Sequence, residues 1–209
     1  GKFLSRLSTP ELFLKKHDLR VACEGLGCDD DAIAFILCTH DPDNLWRLVE
    51  YCKSGGMILA DLIEKKCKHN SFPQLLFKGI LAATSRTTED PNTAPDTAKK
   101  LVEANTTNIA PFFELITSAT YEHLGHIDQA LQSGHSVTLD ALIEKKFATL
   151  QVALYLKMWI RRPHEAVALL LPFLNPTRMA QIFSREDKIF FRGVDDCVRK
   201  SYDSSGLVH

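Results

Sequence analysis

Lysine, histidine and cysteine are the side chains whose spacing in this sequence could support chemistry. His123 and His126 lie at i and i+3 on a helical stretch, close enough to share a metal ion, and Cys67 and His69 are near neighbours. Neither pair completes the four-ligand pattern of a zinc site. The sequence contains no glycine-rich phosphate loop, nucleophile elbow or zincin motif, so the chain is not expected to be an enzyme. Cys23, Cys38 and Cys52 fall on apolar helical faces, where a small buried thiol is the commoner explanation. Six cysteines at irregular spacings in 209 residues are too sparse for a disulfide scaffold, and they fit the reduced thiols of a cytosolic protein. The lysines are more sharply grouped. Lys65, Lys66 and Lys68 stand beside His69, and Lys145 and Lys146 form a second group. Ammonium groups so placed can meet phosphate oxygens; their plainer role is to complement the negative end of a helix dipole.

Composition narrows the partners. Twenty-five Lys plus Arg against 26 Asp plus Glu leave a formal charge of -1, so no overall basic field points to nucleic acid. Contact with an anionic surface would have to come from a local patch. The longest apolar run, 166–174, is interrupted by Pro172 and falls short of the about 20 residues that a membrane span needs. No transmembrane segment is expected, and the first residues lack the apolar core of a secretory signal.

The elements that must position these groups read as helices throughout. The acidic triplet Asp29-Asp30-Asp31 precedes Ile33, Ile36 and Leu37 and suits the positive end of a helix dipole. Asp41-Pro42 reads as an N-cap with proline in the first turn, opening a helix through Leu45, Leu48, Val49 and Cys52 that Ser54-Gly55-Gly56 ends. Ile58, Leu59, Leu62 and Ile63 form the next, ending in Lys65-Lys66. Ser71-Phe72-Pro73 opens another through Leu75, Leu76, Ile80 and Leu81. No alternating run of β-branched residues competes, so the chain is expected to be all-α.

The sequence also repeats itself. Leu62-Ile63-Glu64-Lys65-Lys66 recurs as Leu142-Ile143-Glu144-Lys145-Lys146, and at nearly the same offset Glu24 matches Glu103, Thr39 matches Ser118, and Ser54-Gly55 matches Ser133-Gly134. The stretch from Thr87 to Pro95, rich in Thr, Pro, Asp and Asn, reads as the linker. The expected organisation is the last helix of a preceding repeat at 1–9, full repeats at 10–86 and 93–162, and an incomplete repeat at 163–209.

Phe3 through Pro10, His17-Asp18-Leu19-Arg20-Val21-Ala22 and Glu24-Gly25-Leu26-Gly27-Cys28-Asp29-Asp30-Asp31-Ala32-Ile33 together resemble the junction between two annexin repeats. Ile36 through His40 is similar to that family's second-helix ending, and 184–202 is similar to part of its last repeat. The resemblance implies an annexin-like array of five-helix repeats in a right-handed superhelix. It also implies peripheral, calcium-dependent docking onto anionic phospholipid membranes from the cytoplasm. The implied calcium ligands are the carbonyls of Cys23, Gly25 and Gly27, with a carboxylate from the end of the fourth helix, because Ca2+ takes six to eight hard oxygens. The acidic position falls on Cys67 by counting, or on Lys65 if the following loop is realigned, and neither can cap the ion; Glu64 is the nearest carboxylate. The second copy has no glycine in the loop and Lys145 at the acidic position. Calcium binding is therefore expected to be no tighter than about 10⁻⁴ to 10⁻³ M.

Where calcium is lost, charge can replace it. Lys65, Lys66, Lys68, Lys145 and Lys146 would lie on the membrane-facing surface of that fold, at about 1 kcal/mol per basic residue beside an anionic bilayer. The alternative function is a helical scaffold for a cytoskeletal or other protein partner, as for the giardins that resemble degenerate annexins; stacked helical units leave long surfaces for this.

Overall fold

The computed structural model describes residues 9–24, 27–69, 71–83, 91–104, 109–148 and 151–170. All regular structure among them is helical. Five α-helices come first: α1 (Thr9–Ala22), α2 (Asp30–Cys38), α3 (Pro42–Ser54), α4 (Leu59–Lys66) and α5 (Phe72–Ala82). A 3₁₀ turn at Pro91–Thr93 leads into α6 (Ala94–Glu103), α7 (Ala110–Ser118), α8 (Tyr121–His135), α9 (Leu139–Lys146) and α10 (Gln151–Trp159), and α11 (Pro163–Leu170) follows. Of the expected linker, 87–90 lie outside the described residues and 91–95 form the 3₁₀ turn and the start of α6; the leading helix 1–9 and the incomplete last repeat lie largely outside them.

Local capping chemistry starts the helices where the sequence says they should. Asp29 accepts from the Ala32 amide, Asp41 from Asn44 and Ser71 from Gln74, while Thr120 and Thr138 do the same for α8 and α9. Each satisfies an amide that the first turn leaves without an intrahelical partner, typically contributing about 1 kcal/mol. Pro42 and Pro73 sit in first turns, where no amide is missed. The repeated Leu-Ile-Glu-Lys-Lys pentapeptide closes both α4 and α9. Its glutamates take equivalent partners, for Glu64 pairs with Lys78 on α5 and Glu144 with Lys157 on α10.

The two groups of five helices share one core. α5 lies against α7, and α10 touches both α2 and α5. The α5–α7 approach is close because residue 79 is glycine: a Cβ there would stand 2.9 Å from Thr117 Oγ1. Phe72 on α5 meets Phe147, the residue after α9, at 5.6 Å between ring centroids, and Phe147 in turn packs on Phe112 at 5.5 Å and Phe113 at 5.6 Å. Such aromatic pairs add about 0.5–1.5 kcal/mol each beyond the area they bury.

One expectation fails. The cysteines do not all remain thiols: Cys28 and Cys67 form a disulfide, with Cα atoms 5.1 Å apart, while Cys23, Cys38 and Cys52 are buried thiols. Counting cysteines could not show this, because the pair is created by a tertiary approach between the start of α2 and the end of α4.

Phe147 is fully buried in the contact between the halves, so Phe147→Ala is expected to lower the unfolding free energy by about 3–5 kcal/mol. Urea denaturation followed by circular dichroism checks this; a loss below 1 kcal/mol would show that the halves are held together elsewhere.

Candidate functional site

The site begins where α1 gives way to α2. After Ala22 the chain turns back, and the Asp29 amide returns to the Ala22 carbonyl at 2.7 Å. Gly27 has φ 129°, a backbone that a side chain rarely tolerates, which explains glycine at this position. Gly25 and Leu26 lie outside the described residues. Cys28 leaves the turn and is bonded to Cys67 at the end of α4. The end of α4 is thus fixed against the α1–α2 turn, and Lys65, Lys66 and Lys68 are exposed beside it. Cys23 Sγ stands 3.9 Å from Cys28 Sγ. Burial, then the charge of Asp30, pushes the Cys23 thiol up to about 11, with Lys66 opposing. Asp30 is itself raised by burial and by Asp31 and Asp29.

Glu64 does not turn toward this loop. Its carboxylate is held by Lys78, with His69 Nδ1 at 3.7 Å, and the hydrogen bond from Lys78 is the main cause of its lowered pKa. A helix advances by about 100° per residue, so a side chain next to a loop-facing position points away from the loop.

A corresponding turn follows α6, and it is closed differently. Val102 and Ala104 stand in the second copy where Cys23 and Gly25 stand in the first. The Lys146 ammonium donates to both of their carbonyls, at 3.0 Å for Val102, and lies 5.9 Å from the centroid of the Phe112 ring. A lysine ammonium thus contacts the carbonyls that correspond to the expected calcium donors. Burial, then the Lys145 charge, lowers the Lys146 pKa; two carbonyl acceptors and an aromatic face favour the charged form. Lys146 was expected among the lipid-facing lysines, but its charge is turned inward. Lys145, one residue away, is exposed. Asn105 to Asn108, the rest of this turn, lie outside the described residues.

Asp31, at the start of α2, accepts hydrogen bonds from Gln151 and from the Tyr155 hydroxyl, the latter at 2.7 Å, and both donors are on the first turns of α10 that follow the Lys145 segment. Burial, then the bond to Asp31, raises the Tyr155 pKa, so this hydroxyl stays protonated as a donor.

The described donors suit calcium poorly. At the cap position stands Cys67, a sulfur committed to a disulfide, Glu64 is paired with Lys78, and the second loop already holds an ammonium. Calcium requires hard oxygens in number, including carboxylates.

No protein-family model and no curated protein matches the chain. Solved structures do. Calcium-bound alpha-14 giardin matches at TM-score 0.72 and 17% identity, covering 93% of this chain and 69% of that one. The fold is annexin-like. Calcium-bound alpha-11 giardin matches at TM-score 0.65 and 17% identity over 77% of this chain and 55% of its own, and annexin III at 0.65 and 19% over 80% and 54%. The chain spans little more than half the length of these last two, and at such identities the annexin-like likeness concerns the fold.

Sequence reasoning missed the inward turn of Lys146 and the Cys28–Cys67 bond. Its signal was present: one cysteine lies in the Gly-x-Gly turn and the other at the counted cap position of the same annexin-like site. If Lys146 closes the second turn, Lys146→Met lowers stability by about 1.5–3 kcal/mol, the range for hydrogen bonds to charged groups. Lys145→Met leaves it within about 0.5 kcal/mol, as for ordinary surface changes. Equal effects in thermal denaturation would place the two side chains in equivalent surroundings.

Proposed function

We propose that this chain is a peripheral membrane protein that docks on anionic phospholipid through lysines at one end of its annexin-like fold, with calcium dependence weak or lost. The observation that supports this most is the exposure of Lys65, Lys66, Lys68 and Lys145 beside turns that the protein closes with its own groups. A calcium ion in such a loop would bridge carbonyls to lipid phosphate. Here a disulfide and an ammonium occupy the structural part of that role, and surface ammonium groups can meet the phosphates directly. Among the described residues no helix is long and apolar enough to cross a membrane, which agrees with docking rather than insertion. In this reading the repeats are 10–86 and 93–162, with 1–9 and 163–209 belonging to flanking repeats, and the protein works at the cytoplasmic side of a membrane.

Four exposed lysines at about 1 kcal/mol each supply roughly 4 kcal/mol, an attachment that salt weakens because the Debye length is only about 8 Å at physiological ionic strength. A second reading, a scaffold for a cytoskeletal or other protein, is favoured by the apolar surface of α1, where Phe13 is 58% exposed and Val21 48%.

Co-sedimentation with phosphatidylserine vesicles in EGTA separates the two. Membrane docking predicts binding without calcium, loss at high salt, no binding to phosphatidylcholine alone, and weakening of at least about 100-fold in the triple variant Lys65→Glu, Lys66→Glu, Lys145→Glu. Binding that disappears in EGTA, or that the triple variant leaves unchanged, rejects it.

A further inference from the structure

The structure holds a second kind of binding chemistry that the membrane reading does not use. Cys23, Cys28 and Cys67 bring three sulfur atoms within 4.8 Å of one another, the sole such group of potential metal donors among the described residues. We propose that, once the Cys28–Cys67 bond is reduced, these three thiolates bind one zinc-class metal ion, with water at the fourth position.

Three observations carry this. The first is the spacing. A tetrahedral ion with Zn–S bonds of about 2.3 Å has sulfur–sulfur edges of about 3.8 Å, and Cys23 and Cys28 already stand 3.9 Å apart. The second is the way the donors are held: Cys23 follows the last turn of α1, Cys28 precedes the Asp29 cap of α2, and Cys67 caps α4. Three separate helices fix the three backbones, so little ordering is left for the metal to impose. The third is access and charge. Cys23 and Cys67 are 1% and 5% exposed, whereas Cys28 is partly open and offers the entry side. Three thiolates around a divalent ion leave one negative charge, and the Lys66 ammonium lies close enough to act on Cys23. Thiolate donors select zinc and Cu(I) over calcium and magnesium, so this is not the calcium site of the fold under another name.

The oxidation state decides whether the site exists. In the disulfide two of the three donors are bonded to each other. Two equivalents of an external thiol supply two electrons and two protons, leaving as their own disulfide and freeing Cys28 and Cys67 as thiols. The metal then forms three M–S bonds and releases three protons to solvent. A reducing compartment supplies such thiols as glutathione. The proposal stands apart from lipid docking, and either can fail without the other.

Cobalt(II) titration of the full chain, reduced and kept anaerobic, tests it. The expected result is one equivalent of cobalt with an intense near-ultraviolet sulfur-to-cobalt charge-transfer band, displaced by zinc and absent from the oxidised protein. A variant with Cys38, Cys52 and Cys197 changed to Ala keeps the band. Cys28→Ser and Cys67→Ser each weaken zinc by at least about 10-fold, no less than the loss of an outer-shell partner at known sites. Because a variant can lose metal by misfolding, zinc protection of Cys28 from iodoacetamide is measured on the unaltered chain by peptide mass spectrometry. No charge-transfer band in the reduced protein, a band that persists in the Cys28→Ser, Cys67→Ser double variant, or alkylation of Cys28 at the same rate with zinc present overturns the proposal.

Discussion

The structure depends on how the turn before a helix is tied to the end of another helix two helices later. At the second turn the carbonyls of Val102 and Ala104 face the Lys146 ammonium, and unpaired backbone acceptors away from water cost free energy. Something must occupy that space or the turn opens. In the first half the tie is covalent, Cys28 to Cys67. In the second it is electrostatic, the Lys146 ammonium on the Val102 and Ala104 carbonyls. Both ties join the turn after the first helix of a five-helix group to the end of its fourth, through different residues: Cys67 in the first half, and in the second Lys146, the counterpart of Lys66. Each also fixes the end of α4 or α9, and so the lysines carried there.

The core sets where these ties sit. Phe147 follows Lys146 directly, and its packing against Phe72, Phe112 and Phe113 orients the last turn of α9 so that Lys146 faces the turn and Lys145 faces water. In the first half Cys67 occupies the place of Phe147, and its bond to Cys28 supplies a constraint that an aromatic cluster supplies in the second. Lys66, the counterpart of Lys146, is then free to remain exposed. Asp31 ties the start of α2 to α10 through Gln151 and Tyr155.

Much of this was legible in the sequence because it is local. Caps at Asp29, Asp41 and Ser71 act within one turn, the absence of strand patterning excludes sheet, and the Leu-Ile-Glu-Lys-Lys pair marks equivalent helix ends without any knowledge of packing. The candidate site was half legible. Cys67 at the cap position told against calcium, but its bond to Cys28 depends on how α2 and α4 approach. Lys145 and Lys146 are identical in type and adjacent, and only tertiary packing distinguishes an ammonium that enters a loop from one that meets solvent. Glu64 was the nearest carboxylate by counting, yet Lys78 on α5 determines where it points.

If both turns are closed from within, calcium has little left to do in the protein itself. Calorimetric titration of CaCl2 into the oxidised chain measures this directly. Closure by the disulfide and by Lys146 predicts no saturable heat below about 10⁻⁴ M calcium. A stoichiometric isotherm with a micromolar midpoint would contradict it, for a complete set of oxygen donors would then have to exist at one of these turns.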